Sequence, residues 1–177
     1  MERAFIASIE AEYRRYRALF EKTIDQLSDA DLVATPVEGA NSIACLGWHI
    51  AGNLRSRFTD FLSSDGEKPW RNRDEEFAAR IVTRRELQEK MDSGWIPLFD
   101  TLAALGDRDL GHEIVIRRQS LSVAEALHRS LAHLGYHVGQ VVLLARALRG
   151  EAWGFLSIPP GRSEQYNADP NLERGPR

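Results

Sequence analysis

The chain has 177 residues, 43% hydrophobic and 28% charged, which suits one globular domain with a sizeable core. Lys+Arg 23 against Asp+Glu 26 gives a net charge of −3, the wrong balance for a protein that draws its affinity from nucleic-acid phosphates. The single cysteine, Cys45, excludes a disulfide scaffold or multi-cysteine zinc module, and charges break every apolar run short of the ~18 residues of a membrane helix.

The N-terminal segment mixes acids and bases from its second residue. It does not read as a secretory signal, so a cytoplasmic protein is expected. Ile6, Ile9, Tyr13, Tyr16, Phe20, Ile24 and Leu27 recur at spacings of three and four, predicting an amphipathic helix over about 2–27. Ser28 to Asp31 reads as its stop or as a new cap. A second helix is expected to start near Asn41 or Ser42 and to continue through His49 and Phe58 to Leu62. Residues 63–74 are polar, carry Gly66 and Pro69, and read as a long loop. A capping box, Thr83 to Glu86, starts a third helix, with a kink expected at Pro97. Residues 113–117 form a short β-like run, read as a strand or extended loop. A second capping box, Ser122 to Glu125, starts a fourth helix that ends at Gly150. That helix has no charged residue from Ser130 to Ala145, so it is expected to be central and buried. Beyond residue 153 the composition turns to Pro, Gly, Asn and charge, as in a mobile tail. The expected fold is therefore all-α, a four-helix bundle over 1–153 with a tail over 154–177.

His133 and His137 lie one turn apart on one helical face, and both can aim ring nitrogens at one point. Two core histidines bonded to carbonyls or to Gln140 would show the same spacing. His128 falls on the opposite side of that helix, and His112 lies in a loop. His49, mid-helix between Gly47 and Gly52, is the better third ligand. Three neutral imidazoles suit zinc, nickel, iron or copper and leave a coordination position open. A metalloprotease motif fails because Leu134 follows His133 where a glutamate is needed. A carboxylate di-iron bundle fails because only Glu125 and His128 have the required spacing.

Residues 49–62 (HIAGNLRSRFTDFL), 65–74 (DGEKPWRNRD), 127–140 (LHRSLAHLGYHVGQ) and 157–163 (SIPPGRS) together resemble the DinB-like superfamily of four-helix metal-binding proteins. The closer likeness is to a bacterial branch catalogued as a domain of unknown function. The resemblance implies His49, His133 and His137 as a metal triad, with zinc or nickel preferred and iron or manganese as alternatives. It also implies a homodimer, and a tail packed on the bundle or on a partner subunit. Related proteins include transferases and isomerases that use low-molecular-weight thiols such as bacillithiol or mycothiol, and others described as metal-dependent hydrolases.

The expected function is a thiol-dependent transfer or a hydrolysis on a small molecule, with no nucleic acid or membrane as partner. No catalytic acid or base is identifiable. Asn53 and Gln140 each sit within a turn of a ligand and are candidates to orient the imidazoles. Cys45, one turn before His49, reads as a fourth ligand, a reactive thiol or a buried free cysteine. Arg55, Arg57, Arg71 and Arg73 could attract an anionic substrate or lie on the surface. The alternative is a non-catalytic metal-binding scaffold or interaction protein, with Trp48, Trp70 and the charged loop as partner surface.

Overall fold

A computed structural model describes residues 2–170; the end of the predicted tail, 171–177, lies outside the described residues. The chain is mostly helical with one small antiparallel sheet. Four long helices, α1 (Ala4–Ile24), α3 (Ile43–Phe58), α5 (Arg84–Ala104) and α6 (Val123–Arg149), carry the core. Short helices α2 (Asp29–Val33), α4 (Arg73–Glu76) and α7 (Ser163–Ala168) lie between and after them. No helix among the described residues is long and apolar enough to cross a membrane.

The helix starts follow local chemistry. Ser28, Thr83 and Ser122 each close a capping box, so the side chain and the residue three positions on satisfy each other's backbone donors. Ser28 therefore opens a separate helix, α2, rather than merely stopping α1. Helix α3 is four residues shorter than its apolar spacing predicts. Thr59 leaves the helix, its hydroxyl donating to Arg55 O (2.7 Å), and Asp60 takes a left-handed φ of 50°.

Helices α3 and α5 pack at Gly94. A Cβ there would lie 2.9 Å from Ala51 O and 3.0 Å from Ala51 Cα, backbone atoms that cannot swing aside. Trp95, Leu87, Met91 and Leu98 of α5 are buried beside this contact. Helix α1 meets α6 where the Tyr13 hydroxyl donates to Leu127 O (2.9 Å).

The β-like run is one strand of a hairpin, β1 (Glu113–Ile116) and β2 (Gln119–Ser122), so the fold is helical with a sheet added. Its two-residue turn is Arg117–Arg118, at φ 55° and 62°, where Asn and Gly are the usual occupants. The long loop after α3 supplies what the turn lacks. Asp65 accepts from the Arg117 and Arg118 amides (2.8 and 2.9 Å), and the Gly66 amide donates to Val115 O (2.8 Å). Asp65→Ala is expected to speed amide exchange at Arg117 and Arg118 by about tenfold or more, leaving the cores of α3 and α6 unchanged. Site-resolved hydrogen exchange checks it; equal protection in both proteins would disprove the brace.

The described part of the tail is anchored at its start. Trp153 is buried, Gln26 exchanges two hydrogen bonds with the Gly154 backbone (2.7 and 3.1 Å), and Arg146 lies 5.5 Å from the Phe155 ring centre.

Candidate metal centre

His49 reaches the centre from α3, and His133 and His137 reach it from α6. Their nearest ring nitrogens all lie within 4.8 Å of one another, and His49 Nε2 is 3.1 Å from His133 Nε2. Two ring nitrogens this close either share a proton in a hydrogen bond or turn two lone pairs to one point, and a cation satisfies the second arrangement.

The tautomers are set from outside the cluster. His49 Nδ1 lies 2.8 Å from Glu76 Oε2, and a carboxylate can only accept, so Nδ1 carries the proton and Nε2 presents a lone pair inward. His137 Nδ1 lies 2.8 Å from Gln140 Oε1, with the same consequence. Burial, followed by the neighbouring His137 and His49, pushes His133 down to about 3. Burial also lowers His137 against the opposing Gln140 hydrogen bond. His133 and His137 are thus neutral at pH 7, as metal ligands require. The carboxylate behind His49 and the amide behind His137 are the usual supports of such ligands.

These shifts set a pH dependence. Between about pH 6.5 and pH 3 the unfolded chain binds a proton at His133 that the folded chain refuses, so metal-free protein loses stability as pH falls through that window. His133→Asn should flatten this acid slope. Urea midpoints at pH 7 and pH 5 for both chelated proteins check it; parallel losses would refute it.

Glu76 had no sequence signal: it lies 27 residues from His49, beyond a polar loop. Burial alone would raise its carboxyl. Hydrogen bonds from Arg71 Nε (2.8 Å) and Nη2 (2.9 Å) and from His49, with the Arg71 charge, hold it below the usual carboxylate range. Gly52 makes room for it. A Cβ there would stand 2.0 Å from Glu76 Oε1, so this gap in α3 admits the carboxylate. Gly52→Ala is expected to weaken metal binding by about tenfold to a hundredfold, read by competition with a chromophoric chelator; unchanged affinity would dissociate Glu76 from the site.

The other sequence candidates separate clearly. Gln140 holds His137, while Asn53 lines the adjoining cavity without a hydrogen bond to any of the three rings. Cys45 is buried, its thiol donating to Ala78 O (3.4 Å), outside the group that could hold an ion. His128 packs edge-on to Phe5 and exposed His112 faces Asp109. Arg55 and Arg80 lie over Trp70 and Trp48 respectively.

A cavity of about 360 Å³ opens beside the histidines. Its walls include Phe58, Phe61, Phe77, Ile116 and Tyr136. Arg57, Arg71 and Arg73 line it, as do Arg117 and Arg129, which the sequence reading missed. Arg129 was discoverable: it stands four residues before His133, as His133 stands before His137, on one helical stripe.

A family described as "Protein of unknown function (DUF1572)" matches residues 1–162. That span includes the start of the tail. No curated protein matches the chain. A solved structure, described as a conserved protein of locus from Enterococcus faecalis, is similar with a TM-score of 0.62 at 19% identity, over 85% of this chain and 100% of that one. At that identity the likeness concerns the fold.

Proposed function

Since the chain belongs to this family of unknown function, its activity has to be read from the site, and we propose a divalent-metal-dependent enzyme acting on a small molecule. His49, His133 and His137 hold the ion, zinc or nickel before iron or manganese. The observation that carries this reading is the convergence of three imidazoles, two of them oriented by outer partners, at the wall of a small-molecule-sized cavity. A divalent ion there supplies Lewis acidity and lowers the pKa of a thiol or water, which suits thiol transfer or hydrolysis.

The chain's own groups do the rest. Glu76 and Gln140 hold the rings in register, buried Phe61 and half-buried Phe77 limit the access of water, and the arginines orient the substrate. In this reading α1, α3, α5 and α6 form a DinB-like four-helix bundle over 1–153, with 154–177 as its tail. The chain acts as a homodimer, with neither nucleic acid nor membrane as partner.

Cobalt-substituted protein tests the open position. Visible bands that shift on addition of azide or a small thiol are expected. Bands indifferent to both would favour a closed structural ion and the scaffold alternative. A panel of low-molecular-weight thiols with an electrophile, followed by loss of free thiol, then separates transfer from hydrolysis.

A further inference from the structure

The cavity is lined by five arginines and, among the described residues, by no carboxylate. Two acids behind the wall answer part of this charge. Arg71 is held by Glu76, and Arg57 and Arg117 share one Glu67 oxygen (3.1 and 2.7 Å). Arg73 and Arg129 make no ion pair among the described residues. Arg73 lies 5.1 Å from the Phe77 ring centre, and Arg129 stands one turn from His133. Both are exposed residues that line the cavity, so a ligand can reach their guanidiniums without breaking an ion pair. A divalent ion would add to the same positive field. A low-dielectric pocket of one charge sign concentrates ligands of the other. Phe58, Phe61, Phe77, Ile116 and Tyr136 line the same cavity, which does not suit a wholly hydrophilic ion.

We propose that this cavity is an anion subsite, where Arg73 and Arg129 receive the carboxylate or phosphate of a small substrate whose apolar body packs on Phe61, Phe77 and Tyr136. It deepens the reading of the histidine site and rests on that site being where the substrate reacts. Guanidinium suits both headgroups because its fork of donors matches two acceptor oxygens. Arg57, Arg71 and Arg117, each already tied to an acid, keep the walls in place.

The test measures dissociation constants of phenyl phosphate, benzoate and benzylamine by ligand-observed NMR. The full-length chain is used both chelated and zinc-loaded, beside an Arg73→Gln/Arg129→Gln variant. At least one anion should bind in both states, and benzylamine should not. The tighter anion identifies the headgroup. The variant should weaken anion binding by about tenfold or more, the scale of a lost charge-assisted hydrogen bond, while melting unchanged. Benzylamine binding as tightly as the anions, an unchanged constant in the variant, or no anion binding would each overturn the subsite. Arginine-dependent anion binding in a protein that takes up no zinc would sustain the subsite and sink the metal reading instead.

Discussion

His133→Ala is expected to cut bound zinc from about one equivalent per chain to below about a tenth of that after dialysis, the largest effect of any single side chain here. His133 Nε2 stands 3.1 Å from His49 Nε2 and is the ligand shared most closely between α3 and α6. Two histidines alone make a weak site. His128→Ala is the control, since that ring lies on the same helix but packs on Phe5; it should keep the full equivalent. Metal content by plasma mass spectrometry reads both. A second measurement separates metal loss from misfolding. Zinc at a hundredfold over its dissociation constant stabilises a folded protein by about 2.7 kcal/mol, so the wild-type melting temperature should rise on zinc addition while that of His133→Ala does not. Equal zinc in both proteins would remove the triad.

Arg71→Met is expected to destabilise the fold by about 3 kcal/mol, the cost of leaving one buried charge without its partner. The Arg71 side chain is 2% exposed and that of Glu76 is 7% exposed, and the two are joined by two hydrogen bonds. Glu76 then keeps only His49, so the variant also weakens metal binding. The double variant Arg71→Met/Glu76→Gln should recover most of the stability, because a neutral amide no longer demands the guanidinium. It should not recover the metal affinity, which depends on a carboxylate behind His49. Urea midpoints and chelator competition on the two variants make the check. A single variant as stable as wild type would show that Arg71 does not neutralise Glu76.

Much of this was legible along the chain. Apolar spacing located α1, and two capping boxes located the starts of α5 and α6, because those signals act within one turn. The pair His133 and His137 was legible for the same reason. Glu76 was not: its placement depends on a missing side chain at Gly52 and on a turn of loop around Arg71, and that loop is remote in sequence from His49. The hairpin was only half visible, because its turn residues are arginines and the carboxylate that holds them belongs to the loop after α3, 52 residues before Arg117. The end of α3 was misjudged by one turn because neither Gly nor Pro marks Thr59.

The three histidines come from helices far apart along the chain, His49 and His133 being separated by 84 positions. An ion bridging them would act as a reversible cross-link, closing a loop that loses roughly 4–5 kcal/mol of unfolded-state entropy if the bridge is treated like a disulfide. A chelator then plays the part that a reductant plays for a disulfide protein. It leaves every packing contact in place and releases the entropy of the open chain. Persistence of the fold in a cell would then follow the supply of free metal as well as temperature.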